Sequence, residues 1–249
     1  MTERFKVAAN HIQSVNEDDY FRIDPYLLVL DAFSRISYQS IYVIDCYKMN
    51  FLYVSENKFF LCGHTPERVK SMGFDFYLSC VPQGELQLLY EINRAGFAFC
   101  HTMPVSERTH YTLSYEIHLL HGKEKILVHH EISPLALSKE GNIWLAVCLV
   151  SLSSFSEAGH LEVRKRGSPD VWKYYPESRK WRKTQDVQLT ERERSVLALS
   201  ARGYTIKDIS ERLCITEVTV KFHRNKLFEK LDVNNITEAF LMAVNYRKL

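Results

Sequence analysis

The stretch EVTVKFHRNKLFEKL, residues 217 to 231, sets a cation, an aromatic ring and a carboxamide close together at Lys221, Phe222 and Asn225. That set matches the exposed edges of base pairs. A lysine donates to guanine O6 and N7, an asparagine pairs with adenine N6 and N7, and an apolar ring packs on the thymine methyl. Drawn as a helix advancing about 100° per residue from Val220, the stretch returns Leu227 and Leu231 to within about 20° of the start. Lys221, Phe222, Asn225 and Glu229 lie between about 100° and 200° away. One side is therefore core and the other carries the polar set. Arg224 and Lys226 fall at the margins, where cations suit phosphates and fix position without reading sequence. His223 falls at about 300° on the same wheel, half-buried, where packing or a phosphate hydrogen bond suits it better than catalysis. A plain solvated helix face is the competing account of Lys221 and Asn225.

The elements that must hold this face are marked by their caps. Thr190 is followed three residues on by Glu193, and Thr205 by Asp208, so that each pair can satisfy backbone N–H groups of a first turn. Asn235 with Glu238 repeats the pattern, Thr216 is the natural N-cap before Glu217, and Gly203 can take the left-handed conformation that ends a helix. Four helices are expected at roughly 191–202, 206–213, 217–231 and 236–246. The second and third are separated only by Cys214, Ile215 and Thr216, with Ile206, Ile209 and Leu213 facing Val220, Leu227 and Leu231 in a common core. Two helices joined that tightly form a helix-turn-helix, whose second helix enters the DNA major groove.

Charge supports the same division. Residues 1–160 carry 13 Lys+Arg against 18 Asp+Glu, and residues 161–249 carry 19 against 12. The basic part suits a polyanionic partner. The six cysteines show neither CxxC pairs nor zinc spacing, which points to a reducing cytoplasm. The longest apolar run, IWLAVCLV at 143–150, is too short to span a bilayer, so a soluble, intracellular chain without membrane contact is expected.

Earlier in the chain, Asp24 as N-cap and Pro25 at the first helical position open a helix apolar at Leu28, Val29, Ala32, Phe33 and Ile36. A hairpin follows over SIYVIDCYKMNFLYVS, then short helical turns around Gly63, Thr65 and Pro66, then a helix over PQGELQLLYEINRAG closed by Gly96. Three alternating runs joined by turn residues read as an antiparallel meander. In that order, and in FLYVSENKFFLCGHTPERV at 51–69, residues 38–154 resemble a PAS domain. The resemblance implies a five-stranded antiparallel sheet with flanking helices and a role as sensor or dimerisation module. Residues 155–188 read as a basic linker or small hairpin, with Trp172 and Trp181 packed against a domain face.

The C-terminal segment LTERERSVLALSARGYTIKDISERLCITEVTVKFHRNKLFEKLDVNNITEAFLMA strongly resembles the LuxR-type (NarL/FixJ-type) helix-turn-helix domain, through L-T-x-R-E, the A-x-G stop, K-[DE]-I and T-V-K-x-H-x-x-x-[IL]-x-x-K-L. The resemblance implies a bacterial transcription regulator. It also implies that Lys221, Phe222 and Asn225 face bases, that Lys207 and Thr219 lie near phosphates, and that the last helix makes a dimer contact on DNA, here through Ile236, Ala239, Phe240 and Ala243. Three positions depart from the pattern: Ile206 for a common Asn or Ser, Asp232 for a frequent Gly, and Ile236 for a frequent Arg.

No Gly-rich phosphate loop, GxSxG or HExxH is present, and an enzyme is not expected. Neighbouring His129 and His130 point to opposite faces of a strand, so with His118 and His121 they make a poor metal site. Cys62 lacks the sequence surrounding a flavin-adduct cysteine, and the helix at 85–95 has no haem-ligating His. No flavin, haem or metal is expected, which leaves room for a small-molecule ligand of the PAS-like domain. The resulting expectation is an N-terminal helical segment (1–37), an α+β PAS-like domain (38–154), a linker (155–188) and an all-α four-helix domain (189–249). It would bind double-stranded DNA as a homodimer, with RNA polymerase or a signalling protein as a further partner. The alternative is an adaptor that uses the Phe222 face to hold a protein.

Overall fold

Three long strands, β3 (Tyr111–His121), β4 (Glu124–Leu137) and β5 (Ile143–Leu152), form the centre of the larger of two units, because their alternating residues bury one face against helices. The computed structural model describes residues 5–246 and 248. One unit runs to Leu152 and includes Glu157–Thr184; the other holds Ser153–Ser156 and continues from Gln185.

In the larger unit, β1 (Ser40–Asp45) and β2 (Asn50–Val54) form the expected hairpin, and β1 also pairs with β5. Between β2 and β3 lie α3 (Lys58–Leu61), α4 (Pro66–Met72), α5 (Asp75–Cys80) and α6 (Leu86–Thr102). Asn57 caps α3 and Thr65 caps α4 ahead of Pro66, which accounts for the short turns. The core joins Tyr42, Phe51, Phe60 and Phe76 to Tyr115, Ile117 and Leu119. The α6 helix does not stop at Gly96 as the sequence suggests. A Cβ there would stand 2.5 Å from Leu113 Cδ1, so this glycine serves close helix–sheet approach rather than a cap.

Among the described residues the sheet has eight strands, in the order β2-β1-β5-β4-β3-β6-β7-β8, rather than the five expected. The extra three are β6 (Gly159–Lys165), β7 (Asp170–Tyr175) and β8 (Lys180–Gln185), drawn from the stretch read as a linker or hairpin. Leu161, Val163, Val171 and Tyr174 are buried, and Val163 packs with Phe99 and Tyr111. Many of the intervening cations are held by carboxylates: Lys165 by Glu107 (2.9 Å), Lys173 by Glu162 (3.2 Å) and Lys183 by Asp170 (2.7 Å). Trp172 and Trp181 pack on Phe99, with ring centroids 5.6 and 4.8 Å away.

Two helices precede the sheet, α1 (Glu17–Phe21) and α2 (Asp24–Ser34). Ile23, not Asp24, occupies the N-cap of α2, and Pro25 lies in its first turn. Tyr20, Ile23, Leu27 and Leu30 pack with Val43, Trp144 and Leu145. The opposite side of α2 is apolar too and uncovered: Leu28 is 74% exposed and Ile36, just beyond the helix, 83%.

Candidate nucleic-acid interface

The smaller unit is built from α7 (Glu191–Ala201), α8 (Ile206–Leu213), α9 (Glu217–Leu231) and α10 (Ile236–Asn245). Each start is fixed by the expected side chain. Thr190 Oγ1 accepts from Glu193 N (3.2 Å) while Glu193 accepts from Thr190 N (2.8 Å), and Thr205 with Asp208 repeats the reciprocal pair. Thr216 Oγ1 accepts from Thr219 N at 3.2 Å, and Asn235 Oδ1 from Glu238 N at 2.9 Å. Gly203, at φ +84°, ends α7. Between α8 and α9, Cys214 takes the left-handed conformation and Ile215 N–H bonds back to Ser210 O (3.0 Å), a turn tight enough to hold the two helices in one relation.

The apolar stripes divide between two clusters instead of one. Val196, Ile209 and Val220 pack with Ile206 and Leu213, while Leu227 and Leu231 join Leu197, Ala239, Met242 and Ala243. Both sets lie on one side of α9, as the wheel requires. The other side is open: Lys221, Phe222, Asn225, Lys226 and Glu229 are exposed, Phe222 to 55%. Val218, 75% exposed, belongs to the same stripe. Val218 is absent from the groove-facing set expected from the sequence, although its wheel position, about 160° from Val220, marks it as outward-facing.

The flanking polar residues differ in availability. Lys207 is exposed on the first turn of α8. The Thr219 hydroxyl is 2.9 Å from that of Thr216. Lys226 is held by Glu229 at 2.7 Å, which raises it above the ordinary lysine range, yet an exposed pair of this kind is weak and readily exchanged for a phosphate. Arg224 is half-buried with its guanidinium 5.9 Å from the Phe228 ring centre, and half-buried His223 meets the Phe222 ring at 5.6 Å. These two sit closer to the body of the unit than Lys207 and Lys226 do. Beneath the face, Glu193 pairs with Lys230 at 2.8 Å and so ties α7 to α9.

Of the α10 residues, Ala239 and Ala243 turn fully into the unit's own core and Ile236 packs partly against it, while Phe240 is offered outward. The three departures in sequence have local accounts, the first being Ile236, which packs partly against the core of its own unit. Ile206 joins the α8–α9 core. Asp232 adopts φ 54°, ψ 53° at the end of α9, a conformation that Asp tolerates better than most residues.

Residues 187–243 match the family model described as bacterial regulatory proteins, luxR family. The smaller unit carries a LuxR-family helix-turn-helix domain. Among curated proteins, this chain is 40% identical over 84 residues to the uncharacterized transcriptional regulatory protein YhcZ of Bacillus subtilis, covering 34% of each. It is 47% identical over 57 residues to the quorum sensing-dependent transcriptional regulator RpaR of Rhodopseudomonas palustris, covering 23% of this chain and 24% of that protein. The chain thus spans about a third or less of the length of these relatives. Among solved structures, the Vibrio cholerae VqmA dimer without target DNA aligns over 88% of this chain and 86% of its own at 18% identity and a TM-score of 0.30, too low to transfer shape or function. Likeness to the LuxR family therefore rests on the helix-turn-helix segment.

Proposed function

We propose that this chain is a transcription regulator that binds specific double-stranded DNA as a homodimer through α9, under the control of its larger unit. The observation that carries the reading is the exposed stripe Val218, Lys221, Phe222 and Asn225 on a helix whose start, turn and buried side are all fixed. Lys221 and Asn225 read base edges, Phe222 and Val218 take thymine methyls, and Lys207, Thr219 and Lys226 contact phosphates, with Arg224 and His223 at the rim.

PAS-like architecture in the larger unit is supported by five neighbouring antiparallel strands, β2-β1-β5-β4-β3, with α3 to α6 inserted between β2 and β3. Dimerisation is supported by the open side of α2. Pro25, Val29, Ala32 and Ile36 repeat at spacings of 4, 3 and 4, the pattern of a helix seam that pairs with its own kind. Phe21, Leu28 and Phe33 beside them are exposed as well and widen the apolar surface, of the kind that marks protein contact. Phe240 on α10 adds a second contact on DNA.

The test is selection of genomic fragments by the purified chain and by the Lys221→Ala/Asn225→Ala variant across a salt series. Enrichment of a short, roughly palindromic site, lost in the variant and weakening steeply with salt, is the expected result. Equal, sequence-blind retention by both would sink the reading and turn attention to a protein partner for Phe222.

A further inference from the structure

Between α6 and the inner face of the sheet, the larger unit holds a cavity of about 380 Å³. Its walls are mainly apolar and rich in rings, among them Phe74, Tyr77, Phe99, Tyr111 and Tyr115. The segment around the short helical turn Ala8–Asn10 also lines it and is pinned by side-chain amides. Asn93 Nδ2 donates to Phe5 O (2.9 Å), Asn10 Nδ2 to Ile143 O (2.9 Å), and Asn142 Nδ2 to His11 O (2.6 Å). Phe5, buried against Phe74, Tyr77 and Tyr90, anchors the start of this segment, so it forms a built wall of the cavity.

One residue of the wall is chemically out of place. Arg108, only 6% exposed, donates Nε–H to Met103 O (3.2 Å) and its two terminal nitrogens to Gly141 O (2.6 Å) and His101 O (3.1 Å). All three acceptors are neutral backbone carbonyls. Among the described residues no carboxylate pairs with it, and its neighbour Glu107 is taken by Lys165. A guanidinium has five N–H groups, so two remain for another acceptor, and a buried cation without a counter-anion is costly. The carbonyls orient the group but leave its charge uncompensated.

We infer that the cavity binds a small aromatic carboxylate, with the ring among the aromatic walls and the carboxylate on Arg108. Arginine suits this role because its planar fork can present two parallel N–H groups to one carboxylate. The inference rests on reading the larger unit as a signal-receiving one, and it supplies the missing chemistry: the ligand brings the anion that the fold omits.

The experiment is calorimetric titration of the 249-residue chain with 2-naphthoate and with its neutral counterpart 2-naphthylmethanol, alongside DNA retention by the same preparation. The wild-type chain should bind the carboxylate at least tenfold more tightly than the alcohol, and Arg108→Gln should abolish that preference. Because Arg108→Gln also loosens three carbonyls and could fail to fold, the acid-against-alcohol comparison in the wild-type chain decides by itself. Equal binding of the two would make Arg108 a structural tie and overturn the assignment, as would binding of neither. DNA retention separates the two readings. Absent carboxylate binding with intact retention overturns the cavity assignment alone. Carboxylate binding without sequence-specific retention upholds the site and overturns the regulatory reading.

Discussion

Two helices of this chain present faces that no described residue of their own units covers, and the faces are chemically opposite. The open side of α9 alternates a cation, an amide and apolar groups, whereas the open side of α2 is almost wholly apolar. A mixed face can remain in water indefinitely and gains from a patterned, polyanionic groove. An apolar face of that size cannot be explained by solvation and is characteristic of protein contact. On the proposed reading specificity falls to α9 and assembly to α2, and the contrast can be broken at either end.

The largest effect is expected on α2. Leu28→Glu with Ile36→Glu places two carboxylates in the seam, and burying them unpaired costs several kcal/mol. Sedimentation should show the wild-type chain as a dimer and the variant as a monomer at the same micromolar concentration. DNA affinity should fall with it, since two half-sites are then no longer held together. An unchanged oligomeric state would remove α2 from the interface and leave Phe240 as its candidate.

On α9, Lys221→Ala should cost specific binding about 1–3 kcal/mol, the usual value of a base contact in the major groove. Fluorescence anisotropy against the selected site and a scrambled duplex distinguishes this from mere charge. Loss confined to the selected site means that Lys221 reads a base; equal loss on both means that it holds a phosphate. Val218→Ala, which removes only methyl contacts, should give a smaller loss at one position of the site.

The contrast also shows what a sequence discloses. The α9 face was legible because every signal that frames it is local: Thr190 meets Glu193, Thr205 meets Asp208, and Thr216 meets Thr219 within four residues. The strands β6 to β8 were not legible as sheet, because β6 pairs with β3, where Thr112 opposes Arg164 across a long stretch of chain. Their cations also looked like a solvated linker until carboxylates as distant as Glu107 were seen to pair with them. The Arg108 cage was beyond reach for a further reason, since its partners are carbonyl oxygens, which residue identity does not encode. The α2 stripe was read correctly as apolar, but which side of it meets the sheet follows only from Tyr20, Ile23, Leu27 and Leu30 packing there.

Acid should act on the α9 unit through Glu193. Burial pushes its carboxyl up, but the Lys230 ammonium and the Thr190 N–H and hydroxyl outweigh that and hold it below the ordinary glutamate range. A depressed carboxyl stabilises the fold above its unfolded-state pKa, and that stability is lost as pH falls through the folded-state value. Thermal melts should therefore show the wild-type unit weakening through the acid carboxylate range. Glu193→Gln should cost about 1–2 kcal/mol at neutral pH and flatten that dependence. A variant with the wild-type acid profile would place the sensitivity elsewhere.

The smallest effect tests how α9 ends. Asp232 and Cys214 both occupy the left-handed region, at φ 54° and 52°, where Gly203 performs the same service after α7 without a Cβ. Asp232 N–H bonds back to Glu229 O and Phe228 O, and Val233 N–H to Phe228 O (3.1 Å), so the cap is fully formed despite the side chain. Asp232→Gly should relieve the left-handed conformation, offset in part by the greater freedom glycine gives the unfolded chain. The net gain should be about 0.5–1 kcal/mol, read as a small rise in the melting temperature. DNA affinity should stay unchanged, because Asp232 lies at the far end of α9 from Val218 and Lys221. If stability rises while affinity falls, the Asp232 carboxylate has a part in recognition, and the polar face extends the full length of α9.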